Sequence, residues 1–85
     1  MIQRQKNILL DLRYCEMTIL EISSKQDVTE RTIRNDLKAL NKTLEKYDAE
    51  ITKNESGKYK LKINNKNKYS EFEQKELLNF EFDYS

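Results

Sequence analysis

The stretch TERTIRNDLKALNKTLEKY, residues 29–47, carries the clearest helical pattern in the chain. At about 100° per residue, its apolar side chains fall within a stripe roughly 80° wide. Thr29 precedes the stripe and is a good N-cap, because its hydroxyl can accept a hydrogen bond from the first helical turn. The pattern predicts an amphipathic helix from Glu30 to about Lys46 with a buried seam. The seam residues are Ile33, Leu37, Leu40, Leu44 and Tyr47.

Two shorter helices are predicted before this one. Gln3 to Tyr14 has Ile8, Leu9 and Leu12 on one face. Thr18 and Glu21 form a capping-box pattern that begins a second helix, about Ile19 to Lys25. Residues 26–28 then form a tight turn, so the second and third helices are expected to make a helix-turn-helix.

A β-hairpin is predicted after the long helix. Ala49 to Lys53 and Lys58 to Ile63 alternate apolar and polar residues, and the turn cluster between them ends at Gly57, the only glycine. Lys58, Lys60 and Lys62 fall on the outer face of this hairpin. The predicted fold class is mainly α with a small β-hairpin (α+β), a three-helix winged helix-turn-helix over residues 1–63.

The C-terminal part differs in composition. Residues 64–69 are polar and are predicted to be a linker. An acidic helix or tail follows over residues 70–85, with Ser70 and Glu73 as a possible cap. Residues 1–68 hold 15 of the 16 Lys and Arg and 10 of the 15 Asp and Glu, a net charge of +5, whereas residues 69–85 carry −4. The body can therefore meet a polyanion, and residues 69–85 either fold back or meet a partner or a downstream sensor domain.

The composition excludes several classes of function. One cysteine, Cys15, and no histidine exclude a Cys/His metal site and catalysis by histidine. No apolar run approaches the roughly 18 residues that cross a membrane, and the N-terminus has no secretory pattern. We therefore expect a cytoplasmic protein that is not an enzyme and needs no metal or cofactor.

The outer face of the long helix carries the candidate functional residues. An α-helix fits the major groove of DNA, where arginine can bond guanine and asparagine can bond adenine. Thr18 and Thr29 lie at helix starts, where backbone N–H groups can hold phosphates. A solvated helix face and an edge-protecting lysine strand are the ordinary alternatives for these residues. The first two and a half turns of the helix offer Arg31, Thr32, Arg34, Asn35 and Lys38.

Two acidic residues of the same helix are predicted to have structural roles. Asp36 lies near the border of the apolar seam and is predicted to pair with an Arg or Lys of the first or second helix. Glu30 lies in the first turn, where a negative charge favours the helix dipole.

Residues 5–61 resemble the N-terminal winged-helix domain of bacterial transcription regulators of the BglG/Mga type, which carry phosphotransferase-regulation domains. They are also similar to the DNA-binding domains of biotin-operon repressors and of DeoR-type regulators. The matching runs are Arg4-Gln5-Lys6-Asn7-Ile8-Leu9, Thr18-Ile19-Leu20-Glu21-Ile22, Val28-Thr29-Glu30-Arg31-Thr32-Ile33-Arg34-Asn35-Asp36-Leu37 and Gly57-Lys58-Tyr59-Lys60-Leu61.

The resemblance implies sequence-specific binding of double-stranded DNA, normally as a homodimer. The long helix would read the major groove, and a basic wing including Lys58 and Tyr59 would support it. The alternative is a winged-helix protein-interaction or dimerisation module without DNA binding. The predicted DNA-contacting residues are Thr18, Thr29, Arg31, Thr32, Arg34, Asn35, Lys38, Lys58 and Tyr59.

Overall fold

The computed structural model describes residues 1–77 of the 85-residue chain. Its elements are α1 Gln3–Tyr14, β1 Met17–Thr18, α2 Ile19–Gln26, α3 Glu30–Leu44, β2 Ala49–Lys53, β3 Lys58–Ile63 and α4 Lys66–Phe72. One 3₁₀ turn, Glu45–Tyr47, extends α3, and a π-helical turn, Glu73–Leu77, extends α4. Three helices followed by a strand pair form a winged helix-turn-helix, so the predicted α+β fold class is confirmed.

The helix-turn-helix begins and ends at local backbone signals. The Thr18 hydroxyl accepts a hydrogen bond from the Glu21 N–H (3.1 Å), and the Glu21 carboxylate accepts one from the Thr18 N–H (2.8 Å). The predicted capping box is therefore confirmed. Asp27 ends α2 in the left-handed conformation, with φ 57°, and the Val28 N–H donates back to the Ser23 carbonyl at 3.1 Å. This closes the turn and directs the chain into α3.

The hairpin of β2 and β3, here called the wing, forms as the alternation predicts. Its strands are antiparallel, with Ile51 opposite Leu61. Gly57 adopts φ 80°, a conformation that residues with a Cβ rarely take, and its N–H donates to the Asn54 carbonyl. The Asn54 side chain accepts hydrogen bonds from two further backbone N–H groups of the turn. One glycine and one asparagine therefore fix the wing tip.

A third strand, β1, was not predicted. The sheet order is β1-β3-β2, and β1 pairs Met17 with Tyr59 and Thr18 with Lys58. Two residues carry no detectable alternation, so only the presence of β3 beside them makes this segment a strand. The pairing attaches the wing to the start of α2.

The core lies where the three helices meet the inner face of the sheet. The predicted seam residues Ile33, Leu37, Leu40 and Leu44 are buried, whereas Tyr47 is half-buried and packs against them. Ile8, Leu9 and Leu12 of α1 are buried in the same cluster. The other members of this cluster are Ile22, Ala49, Ile51, Tyr69, Phe72 and Leu77.

The predicted linker over residues 64–69 is wrong. The Asn65 side chain accepts a hydrogen bond from the Lys68 N–H at 3.1 Å, so α4 starts at Lys66 and not after Ser70. Tyr69 and Phe72 are then three residues apart on one helix face, and both are buried in the common core. The chain through Leu77 therefore belongs to the winged-helix domain. The predicted tail beyond Leu77 lies outside the described residues.

Candidate nucleic-acid interface

The predicted reading residues of α3 share one exposed face. Arg31, Asn35 and Lys38 are exposed and fall within an arc of about 60°, opposite the buried seam. Arg34 is also exposed and borders this arc on the wing side. We call these four residues the reading face. Behind them, Ile33, Leu37, Leu40 and Leu44 are at most 5% exposed, so packing against the core holds the helix that carries the reading face.

The start of α3 presents hydrogen-bond donors beside this face. The Thr29 hydroxyl accepts from the Thr32 N–H (3.2 Å), and the two threonine hydroxyl oxygens lie 3.1 Å apart. The first backbone bond of the helix is donated by Ile33 to the Thr29 carbonyl. The N–H groups of Glu30 and Arg31 precede that bond and point out of the helix start, as a phosphate site requires.

Glu30 forms an ion pair with the reading face. A guanidinium nitrogen of Arg34 lies 3.4 Å from the Glu30 carboxylate, and both side chains are well exposed. An exposed pair of this kind contributes about 0–1 kcal/mol, so it holds Arg34 only weakly. Arg34 can exchange Glu30 for a stronger acceptor at small cost.

The wing places Tyr59 next to α3. A shallow cleft of about 260 Å³ separates them and is lined by Arg34, Leu37, Lys38, Asn41 and Tyr59. Arg34 and Lys38 of α3 therefore line the same cleft as Tyr59 of the wing, and all three are predicted site residues. This juxtaposition depends on tertiary packing, since Lys38 and Tyr59 are 21 positions apart in the chain.

Lys53 was not among the predicted site residues, but it lies beside Tyr59. It lies opposite Tyr59 in the hairpin register, and its Nζ is 5.8 Å from the centre of the Tyr59 ring. Because alternate strand residues share a face, Lys53 lies on the face of Ile51 and Tyr59, toward α3. The alternation of β2 contained this signal, which the prominent lysines of β3 obscured.

Thr18 and Lys58 form a separate group. They are paired across β1 and β3, and the alternation of β3 puts Lys58 on the sheet face opposite Tyr59. Hydrogen bonds from Thr18, together with the charge of Lys58, lower the pKa of Glu21 against a smaller opposing effect of burial. The carboxylate of Glu21 therefore stays ionised at the start of α2. This makes the α2 start a poorer phosphate site than the α3 start.

Asp36 joins α3 to α1. Arg4 donates from Nε to Asp36 Oδ2 and from Nη2 to Oδ1, at 2.6 and 3.1 Å, and Gln5 donates to Oδ1 at 3.1 Å. The predicted pairing of Asp36 with a basic residue of helix 1 is confirmed. Burial raises the pKa of Asp36, but the hydrogen bonds from Arg4 and Gln5 outweigh it, so the net pKa lies below its ordinary 3.8.

The stability that Asp36 contributes to the domain should be lost in acid. Its pKa is lower in the folded state than in the unfolded state, so its contribution is present above the unfolded value and is lost as pH falls through the folded one. In urea unfolding, the free energy of unfolding should be higher for wild type than for Asp36→Asn at pH 7. This difference should shrink at pH 3. An equal or larger difference at pH 3 would show that the ionised carboxylate is not the stabilising form.

Asn41 holds the wing against α3. Its Oδ1 accepts from the Ile51 N–H at 2.7 Å, and its Nδ2 donates to the Ile51 carbonyl at 3.4 Å. Among residues 1–77, β2 is the edge strand of the sheet on this side, so no described strand pairs with these backbone groups. The Asn41 amide thus satisfies the outward backbone N–H and carbonyl of Ile51 and fixes the wing beside the reading face.

Replacing Asn41 with alanine should loosen the wing. It leaves both half-sheltered backbone groups of Ile51 without this partner, which costs about 1–3 kcal/mol. Urea unfolding should show that loss, and amide hydrogen exchange should accelerate in β2 more than in α1. Lys42→Ala, one position along the same helix and exposed, is the control and should change stability by less than about 0.5 kcal/mol. Equal exchange rates for Ile51 in the two variants would refute this role.

The described part of the chain contains neither a metal-ligand cluster nor a membrane-spanning helix. Within residues 1–77, no group of three or more Cys, Asp or Glu side chains is placed to hold a metal ion. No helix in that range has the length and apolar content needed to cross a bilayer.

Comparison with protein-family models, with curated proteins and with solved structures found no significant match for this chain. The resemblance to BglG/Mga-type, biotin-repressor and DeoR-type regulators therefore remains a prediction from the sequence.

Proposed function

We propose that this domain binds double-stranded DNA sequence-specifically and serves as the DNA-binding domain of a bacterial transcription regulator in the cytoplasm. In this proposal α3 lies in the major groove, and the wing contacts the adjacent backbone. The observation that carries the proposal is the reading face itself. Arginine, asparagine and lysine side chains project together from a helix whose opposite side is locked into the core.

The chemistry of the reading face suits base edges. Arg31 and Arg34 can each bond O6 and N7 of a guanine, and Asn35 can bond N6 and N7 of an adenine. Lys38 adds a cation near the cleft that leads to Tyr59. Thr29 and Thr32 supply hydroxyls at the helix start, where backbone phosphates bind.

The charge distribution supports the same partner. Residues 1–68 carry a net +5, and the acidic residues most closely associated with the reading face are Glu30 and Asp36. Asp36 is buried and paired with Arg4, and Glu30 is only weakly bound to Arg34. The positive side chains thus dominate the exposed surface of α3.

Selection from random duplex oligonucleotides with the purified chain tests this function. We expect one short motif to be enriched, and binding to that motif should weaken steeply between 50 and 200 mM salt. Binding that depends on salt but enriches no motif would contradict sequence-specific reading. Failure to retain any duplex at 50 mM salt would overturn the proposal altogether.

A protein-interaction or dimerisation module is the second candidate. Two large apolar side chains favour it, since Tyr14 and Leu20 are 83% and 60% exposed. Buried Phe72 and Leu77, by contrast, complete the core of the same chain. Light scattering over a range of concentrations separates the cases, because a Leu20→Ser variant should lose self-association only if Leu20 lies in the interface. Homodimerisation remains compatible with DNA binding, because a two-fold site requires two copies.

A further inference from the structure

Arg4 is held in one orientation beside α3. Its two hydrogen bonds to Asp36 are bidentate and use Nε and Nη2, while its side chain stays 31% exposed. A guanidinium has five N–H donors in a fixed plane, so three remain after these two bonds. The Asp36 side chain is only 6% exposed and lies behind the guanidinium. The solvent-exposed member of this ion pair is therefore Arg4, whose side chain carries the unused donors.

The position of Asp36 on α3 shows on which side of that helix Arg4 lies. At about 100° per residue, Asn41 lies on the wing side of the buried seam, next to Leu37 at the seam's edge, and Asp36 lies on the other side. Between Asp36 and the reading face, the α3 surface carries Thr32, Ala39 and Thr43, whose side chains are all small. Arg4 and the wing therefore flank α3 on opposite sides, with the reading face exposed between those flanks.

The local charge favours an anion at this place. Residues 1–10 contain Arg4 and Lys6 and no acid. The first turn of α1 likewise has no acidic residue, so nothing there offsets the positive end of the helix dipole. The carboxylate that contacts Arg4, that of Asp36, already accepts three hydrogen bonds from Arg4 and Gln5.

We propose that Arg4 binds a backbone phosphate of the DNA strand on the α1 side of the groove that α3 enters, and that Asp36 is its positioning residue. This inference rests on the proposed function. A helix in the major groove lies between two sugar-phosphate strands, and the wing approaches only one of them. Arg4 supplies the contact to the other. Because Asp36 holds the guanidinium in advance, little side-chain entropy is lost when the phosphate binds.

The salt dependence of binding tests this contact. Each phosphate contact contributes about 0.9 to the slope of log K against log salt. For the duplex found by selection, Arg4→Gln should lower that slope by about one contact, so its affinity should change about 3.5-fold less than that of wild type between 50 and 200 mM salt. Arg4→Lys, which keeps the charge, should restore most of the slope.

Lys75→Gln is the matched control, because it removes the same charge from the turn that follows α4. Circular dichroism at the assay temperature should first establish that each variant is folded. If Arg4→Gln is folded and has the slope of Lys75→Gln, Arg4 is only a structural partner of Asp36 and the inference is overturned. If wild type does not bind the duplex at all, the proposed function fails as well, and this separates the two failures.

Discussion

Replacing Arg31 and Arg34 together with alanine should weaken binding to the selected duplex by at least about 30-fold. Each bidentate arginine–guanine contact is worth about 1–3 kcal/mol of discrimination, and both side chains project from the same exposed part of α3. Neither belongs to the core, so the fold should not change. Fluorescence anisotropy at one fixed salt concentration measures the loss, and the preference over a scrambled duplex should fall with it.

The matched control for this loss removes two positive charges elsewhere. The double variant Lys25→Ala/Lys75→Ala removes one cation near the end of α2 and one from the turn that follows α4. In the wild type these lysines pair with Asp11 and Glu71, respectively. This variant should retain most of the specific affinity. The reading-helix assignment fails if the Arg31/Arg34 variant, still folded, binds within about threefold of the lysine variant.

Replacing Phe72 with alanine should destabilise the whole domain by about 3–5 kcal/mol, a large share of the stability of a small domain. The ring is fully buried, 4.8 Å from the centre of the Tyr47 ring and 5.4 Å from that of Tyr69. Truncation therefore removes two aromatic contacts and leaves a cavity between α4 and the end of α3. The melting temperature should fall by at least about 12 °C, measured by circular dichroism at 222 nm.

Two further variants show whether this loss comes from packing. Phe72→Leu retains most of the apolar volume and should cost clearly less than the alanine variant. Glu71→Ala alters the exposed neighbour and should be nearly neutral. A loss below about 1 kcal/mol for Phe72→Ala would mean that α4 is peripheral, as a linker and tail would be.

Sequence reasoning succeeded where the physical cause lies within one helix or one hairpin. The capping box of Thr18 and Glu21 and the cap at Thr29 involve residues three positions apart, so their pattern is visible in the chain. The seam of α3 likewise follows from helical spacing alone. Gly57 marked the wing turn because a positive φ there requires a residue without a Cβ.

Sequence reasoning was wrong about α4 because two local signals competed. Asn65 and Ser70 are both acceptable N-caps, and the polar run after Ile63 gave no reason to prefer the first. The burial of Tyr69 decides between them, since a helix that begins at Lys66 delivers both Tyr69 and Phe72 to the core. That gain depends on Tyr47 being close in space, which no local pattern records.

The candidate site divides in the same way. Sequence alone determined which side chains α3 exposes, because a helix of known phase with one buried seam leaves only one outward face. Only the tertiary structure decided what stands beside that face. Asn41 binds the edge of β2, and the wing with Tyr59 therefore lies on one side of the reading face. Asp36 holds Arg4 on the opposite side. These contacts join residues 10 and 32 positions apart, and they form because a buried or edge polar group needs a partner that only the folded chain provides.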